Sequence, residues 1–187
     1  MLLHIKNMVC DRCIMVVRQQ LENLGLQILE ISLGTVKVSV DPTEEQLHQI
    51  SSSLNILGFE LLNKEKNQLI ERIKNVVIEL VHHSDLKNLN ESIINVVCRR
   101  LNKDQAYLSR LFSDSQGVTI ERYIIQQKVE RVKELLLYGE LTLNEISYEM
   151  GYSSTAHLSN QFKSITGLTP SRFKGLNKQV RLSLDKV

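Results

Sequence analysis

At 187 residues, with 42% hydrophobic and 24% charged side chains, the chain has the composition of an ordinary folded protein of one large or two small domains. The opening Met1-Leu2-Leu3-His4-Ile5-Lys6 is too short for a secretory leader and no run approaches the ~18 apolar residues of a membrane span, so the expected address is the cytoplasm and no membrane partner is expected. Residues 1–63 hold 4 Lys/Arg against 7 Asp/Glu, whereas residues 64–187 hold 19 against 14; the basic excess of the second part permits nucleic acid without demanding it.

The first 63 residues read strand, helix, strand, strand, helix, strand. Residues 2–6 alternate weakly, 13–24 are helical, and 28–33 and 36–40 are β-rich around Gly34. Thr43-x-x-Gln46 caps a helix running to Leu57, and 59–62 form a short closing strand. That order predicts a ferredoxin-like α+β sandwich. Met8-Val9-Cys10-Asp11-Arg12-Cys13 falls on the first strand-to-helix junction, where two cysteines three apart can point their sulfurs together and a helix N-terminus favours their thiolate forms. Two thiolates suit soft ions that accept low coordination, Cu(I) first, with Ag(I) or Hg(II) as alternatives; Zn(II) would want two further ligands. A redox pair and an inert scaffold are the rival readings. A thioredoxin fold fits poorly, because the region is short, the chain has no tryptophan and no proline separates the cysteines. Met8 reads as core rather than as a ligand.

These residues, with Val17, Leu24-Gly25, Val36-x-Val38-x-Val40-Asp41 and Gly58-Phe59, resemble the heavy-metal-associated domain of copper chaperones and metal-pumping ATPases over nearly all of residues 2–63. The resemblance implies a metal site at Cys10 and Cys13. Two positions depart from that family's pattern: Asn7, where Gly commonly precedes the Met, and the charged pair Asp11-Arg12 between the cysteines.

Residues 64–67 form a short link without Gly or Pro, and the helix after it carries Leu69, Ile73, Val76 or Val77, and Leu80 along one stripe. His82 and His83 end that helix, where a cation is favourable. From Gln68 onward the apolar spacing is helical and Pro170 is the only proline, which predicts an all-α domain over 68–176 and leaves 177–187 as a flexible tail. Leu108-Ser109-x-x-Phe112-x-x-x-x-Gly117-x-Thr119 recurs fifty positions later as Leu158-Ser159-x-x-Phe162-x-x-x-x-Gly167-x-Thr169, so two similar units are implied. Each reads as helix, tight turn, helix. In the first, a scaffold helix spans 90–100, the turn lies at Asn102-Lys103 and the next helix starts near Asp104. In the second, Thr142-x-x-Glu145 is a capping box, Gly151 supplies the left-handed stop, and a helix begins at Ser153 or Ser154. A long helix over 119–138 separates them.

The stretches Tyr107-Leu108-Ser109-Arg110-Leu111-Phe112, Ile146 with Gly151-Tyr152, and His157-Leu158-Ser159-x-x-Phe162-Lys163-x-x-x-Gly167-x-Thr169-Pro170-x-x-Phe173 resemble the AraC/XylS DNA-binding domain over about residues 66–176. The resemblance implies two recognition helices entering successive major grooves of double-stranded DNA, with RNA polymerase as a further partner. The residues placed to read bases are Gln105, Ala106, Ser109 and Arg110 on the first helix and Thr155, Ala156, Ser159, Asn160 and Lys163 on the second. Arg110 can pair with guanine and Asn160 with adenine. Leu108, Phe112, Leu158 and Phe162 belong to the core, and Cys98 falls where that family has a small buried residue.

The expectation is a non-enzymatic, sequence-specific regulator in which the thiol pair senses a soft metal, either by repositioning the DNA-binding domain or by assembling a homodimer around shared thiolates. A thiol-redox regulator and a metal-transfer protein with secondary DNA binding are the alternatives. No Gly-rich phosphate loop is present and no nucleophile has an evident base beside it, so catalysis is not expected.

Overall fold

The computed structural model describes residues 1–62, 65–175, 182 and 184–187; the last residue of the expected first domain, the first of the expected link and most of the expected tail lie outside these. The chain divides into two compact units, Met1–Asn75 and Val76–Val187.

The first unit runs β1 (Leu2–Lys6), α1 (Asp11–Asn23), β2 (Ile28–Ser32), β3 (Thr35–Val38), α2 (Glu44–Ile56) and β4 (Glu60–Leu61), and the first half of α3 (Glu65–His83) belongs to it. The strands form one antiparallel sheet in the order β2-β3-β1-β4, so the first strand lies between the third and the fourth. Alternation on β1 puts Leu3 and Ile5 on the buried face. Against it α1 presents Val17 and Leu21 and α2 presents Ile50 and Leu54, each pair one helical turn apart. With Met8, Val36, Val38 and Phe59 these make one core, and Met8 is fully buried in it, as expected. The capping box expected at the start of α2 is formed: Thr43 Oγ1 accepts from the Gln46 amide while Gln46 Oε1 accepts from the Thr43 amide.

Glu65, Lys66 and Asn67, expected to be part of a link, are already the first turn of α3. The early part of this helix is tied to the sheet's unit by two side chains: Gln68 Nε2 donates to the Leu62 carbonyl at 2.9 Å and Asn75 Nδ2 to the Leu33 carbonyl at 3.2 Å. Of the expected stripe Ile73, Val77 and Leu80 are buried, whereas Leu69 is only half-buried and its neighbour Ile70 is buried instead.

The second unit is helical: the rest of α3, a 3-10 turn at Leu86–Asn88, α4 (Ile93–Leu101), α5 (Gln105–Gln116), α6 (Ile120–Tyr138), α7 (Leu143–Glu149), α8 (Thr155–Thr166) and α9 (Pro170–Gly175), with a second 3-10 turn at Leu184–Lys186. Caps set these bounds. Ser92, Asp104, Thr119, Thr142 and Ser154 each accept a backbone N–H from the first turn of the helix that follows, which satisfies donors no intrahelical carbonyl can reach. Asn102, Gly117, Gly139 and Gly167 close helices in the left-handed conformation.

The long helix α6 carries a polar interior. Gln127 is fully buried, and its amide bridges the Tyr123 hydroxyl, the Leu184 carbonyl and His82 Nε2, the last at 2.9 Å. The buried pair Glu130–Lys133 lies one turn on, 2.5 Å apart, with the Leu182 amide donating to Glu130. This corrects the expectation for His82. Burial pulls its imidazole down to about 4, against which the bond to Gln127 works only partly, so the ring is a neutral partner in a core network rather than a cation on a helix end.

Candidate nucleic-acid interface and thiol pair

In the second unit the fifty-position repeat is a structural repeat. Leu108 and Phe112 of α5, and Leu158 and Phe162 of α8, have no exposed surface. Phe112 meets Tyr123 and Phe162 meets Phe173, in each case with ring centroids 5.4 Å apart, so each second helix is locked by an aromatic pair at the same repeat position. Since core residues occupy one face of α5 and α8, their opposite faces are left for a partner. Gln105, Ala106 and Arg110 are exposed on α5, as are Ala156, Asn160 and Lys163 on α8; Ser109, Thr155 and Ser159 are half-buried at the edges of those faces.

The charge pattern singles out particular cations. Arg99 and Arg100 at the end of α4 are engaged by Glu91 and Glu79 at 2.5 and 2.9 Å. Arg110 and Lys163 enter no ion pair among the described residues, so their charge is available to a polyanion. Two further residues face outward beside them at matched repeat positions: Tyr107, 48% exposed, and His157. The imidazole of His157 is fixed by Ser153 Oγ at 3.2 Å from Nδ1 and by the Tyr152 ring set edge-on to it. Sequence reasoning left both out of the site, although their matched places in the repeat were the signal that could have found them.

Cys98 is half-buried on α4 rather than enclosed, beside the turn through Asn102 and Asp104, and burial pushes its thiol up. The turns differ between the two units. Asn102 takes the left-handed conformation at φ 50°, whereas Gly151 takes it at φ 64° with room for little else: a Cβ there would stand 3.2 Å from the Leu86 carbonyl oxygen.

The thiol pair of the first unit sits at the start of α1, with Cys10 as its N-cap residue. The two sulfurs are 3.4 Å apart and both cysteines are half-buried and free, so the expected convergence is present. One expectation fails. Burial pushes the Cys13 thiol up, outweighing the backbone N–H groups that favour its thiolate. Asn7 accounts for one departure from the family pattern: it adopts φ 72°, a conformation natural to Gly, and its side chain donates to the Gly58 carbonyl at 2.8 Å, tying the loop before the cysteines to the loop before β4. Among the described residues no group of three His, Cys, Asp or Glu is placed to hold a metal ion. The donor set is therefore two sulfurs. It fits a soft ion of low coordination and falls two ligands short of tetrahedral zinc.

Residues 97–175 match the family model described as a helix-turn-helix domain. Over 111 residues the chain is 30% identical to the Msm operon regulatory protein of Streptococcus mutans, covering 59% of this chain and 39% of that protein. Over an alignment of 193 residues it is 24% identical to the xylose operon regulatory protein of Escherichia coli, covering 93% of this chain and 49% of that protein. The chain thus spans less than half the length of these curated relatives. Among solved structures, the C-terminal domain of AraT, a response regulator from Geobacillus stearothermophilus, superposes with a TM-score of 0.51 at 23% identity, over 64% of this chain and 92% of that one, which is a likeness of fold. No described helix is long and apolar enough to cross a membrane.

Proposed function

We propose that this chain, whose residues 97–175 match a helix-turn-helix domain, is a sequence-specific transcription regulator of AraC/XylS type that responds to a soft metal ion at Cys10 and Cys13. The observation that carries the DNA half is the duplicated helix with a buried Leu/Phe face and an outward face holding the unpaired Arg110 and Lys163. Two such helices on one unit suit two major grooves of the same duplex. Arg110, with Gln105, Ala106 and Ser109, reads one groove, and Asn160 and Lys163, with Thr155, Ala156 and Ser159, read the other. A guanidinium fork recognises guanine O6 and N7, so Arg110→Ala relaxes selectivity at a single base step by about 1–3 kcal/mol. Uniform weakening across DNA sequences would make it a phosphate contact instead.

The sensing half rests on the 3.4 Å sulfur pair with no third ligand beside it. Such a pair in a small antiparallel sheet with two helices, after a buried Met8, suits a ferredoxin-like heavy-metal-associated module, and Cu(I) is the ion it fits best, ahead of Ag(I), Hg(II) and Zn(II). Because the thiol of Cys13 is pushed up, the metal must displace a proton, and binding strengthens as pH rises. A second chain offering its own pair would complete a four-sulfur site, which makes a homodimer the route from metal to DNA. The test is Cu(I) titration of the reduced chain while DNA affinity and molecular mass are followed, with Cys10→Ser/Cys13→Ser as control. Unchanged affinity and mass would sink the metal reading and leave the DNA reading standing. The same sulfur spacing also suits a reversible disulfide; a response to oxidant in the absence of metal, lost in the Ser variants, would favour that reading.

A further inference from the structure

The fifty-position repeat extends past α5 and α8, and most of what its two copies share serves the unit itself. Leu108/Leu158 and Phe112/Phe162 are core, Gly117/Gly167 stop α5 and α8 in the left-handed conformation, and Thr119/Thr169 cap the helices that follow. Ala106/Ala156 lie on the outward faces and Ser109/Ser159 at their edges. One shared residue is left: Arg122 recurs as Arg172. Over 97–125 and 147–175 every other charged residue faces a different one in the other copy, as Arg99 faces Glu149, Arg110 faces Asn160 and Glu121 faces Ser171.

The two arginines also occupy the same structural place. Each donates its backbone N–H to the capping threonine, Arg122 to Thr119 Oγ1 at 3.1 Å and Arg172 to Thr169 Oγ1 at 3.3 Å. Each precedes the aromatic residue, Tyr123 or Phe173, that packs on the buried Phe of α5 or α8 with ring centroids 5.4 Å apart. The start of each following helix is thereby fixed against its outward-reading neighbour in the same way. Both arginines are exposed, and neither enters an ion pair among the described residues. Neither packing nor capping requires a guanidinium there, since the cap uses only the backbone and the side chain is in solvent.

We propose that Arg122 and Arg172 are matched phosphate contacts, one beside each reading helix, that seat the chain on duplex DNA without reading bases. This rests on the DNA half of the proposed function. Two helices on one duplex meet different bases but the same sugar-phosphate backbone. Residues that read bases are therefore free to diverge between the copies, as Arg110 and Asn160 do, whereas a phosphate contact does the same work in both and can stay. A guanidinium fork matches two oxygens of one phosphate, which suits arginine to that work.

The experiment follows binding of the full chain to two labelled duplexes of about three helical turns, one selected by the chain from a random pool and one scrambled from it, between about 50 and about 200 mM salt. Each phosphate contact contributes about −0.9 to the slope of log affinity against log salt. Arg122→Ala and Arg172→Ala therefore each make the slope shallower by about that amount, and the double variant by about twice it. Over that salt range the parent's advantage over either single variant shrinks about 3.5-fold. The loss is equal on the two duplexes, unlike that of Arg110→Ala. Arg122→Lys and Arg172→Lys keep the slope, since the charge remains. Lys37→Ala, which removes an exposed charge from the first unit, leaves it unchanged. Melting temperatures check that the exposed substitutions leave the fold intact. A slope unchanged in either arginine-to-alanine variant, a loss confined to the selected duplex, or the same change of slope in Lys37→Ala would each overturn the proposal while DNA binding itself stands. Binding to neither duplex would sink the DNA reading, and the proposal with it.

Discussion

The two helix-turn-helix units share a core and differ at their surfaces and turns. Leu108 with Phe112 and Leu158 with Phe162 are interchangeable in burial and in the aromatic partner each Phe meets. On the outward face, by contrast, Arg110 stands opposite Asn160 in the repeat and Ser113 opposite Lys163, so the free cation moves by nearly a turn from one helix to the other. A duplicated motif can therefore keep its packing solution while each copy presents a different outward face. The face that packs is fixed by volume, whereas the outward face is free of that constraint.

The largest expected effect breaks the part the copies share. Phe112→Ala and Phe162→Ala should each cost about 3–5 kcal/mol, since both rings are fully buried and their aromatic partners would be left facing a void. Denaturant unfolding measures this. If one substitution is severe and the other mild, the two cores are not equivalent and the repeat is one of sequence only.

A second expectation concerns the buried polar network between α3 and α6, which has no counterpart around α9 among the described residues. His82 binds a proton near 6.5 when unfolded, but only near 4 in the native network around Gln127. Between those values the unfolded chain takes up a proton that the folded chain refuses, so stability present above pH 6.5 is lost as pH falls toward 4, by on the order of 2 kcal/mol. Unfolding curves at pH 7 and pH 5 for the parent and His82→Gln report it: the variant should show the smaller decline. An equal decline in both would mean that other groups govern the acid limb.

How much of this was legible in the sequence follows the same division. The helices of the second unit, their starts near Asp104, Thr119 and Ser153 or Ser154, the capping box at Thr142 and the inward Leu/Phe pairs were readable, because capping and helical spacing are local and the repeat stated the pairs twice. The outward positions named for DNA reading do lie away from the core, yet Tyr107 and His157 were passed over, since nothing local marks an exposed aromatic or imidazole as functional. His82 was misread for a different reason. Its place at the end of α3 was evident, but the burial that neutralises it depends on Gln127, forty-five positions away. In the first unit the order of strands and helices was visible as hydrophobic period, and the sulfur pair as spacing. The rise in the Cys13 thiol was not, because it reflects how deeply the fold encloses that side chain. Asn7 could be noticed only as an odd residue; its left-handed backbone and its bond to Gly58 are tertiary facts.

The turns offer a smaller test of the comparison. Gly151→Ala adds a Cβ in the left-handed region, 3.2 Å from the Leu86 carbonyl oxygen, and should destabilise by about 1–2 kcal/mol. At the matching turn of the first unit Asn already tolerates φ 50°, so Asn102→Gly should leave stability within ~0.5 kcal/mol of the parent, the relieved backbone strain offsetting the greater freedom of the unfolded chain. Thermal unfolding of the two variants checks the asymmetry. A large gain from Asn102→Gly would show that the first turn is strained and that the copies differ in foldability as well as in surface.

The smallest effect lies at the starts of the scaffold helices. Ser92 caps α4 with a single bond, to the Asn95 amide, whereas Thr142 opens α7 with a reciprocal box in which Glu145 also accepts from the Thr142 amide and hydroxyl. Ser92→Ala should cost about 0.5 kcal/mol and Thr142→Ala about 1 kcal/mol, the difference reflecting the second half of the box. The two caps should also separate by pH. The bonds from Thr142 hold the Glu145 carboxyl below its usual 4.5, so the native state resists its protonation and the box is complete above that pH and weakens as pH falls through the depressed value. No carboxylate takes part at Ser92. Differences in unfolding free energy measured at pH 7 and pH 4 should therefore shrink for Thr142→Ala and stay constant for Ser92→Ala. If both shrink alike, the box adds nothing to the threonine hydroxyl, and the second unit owes its shorter scaffold helix to packing alone.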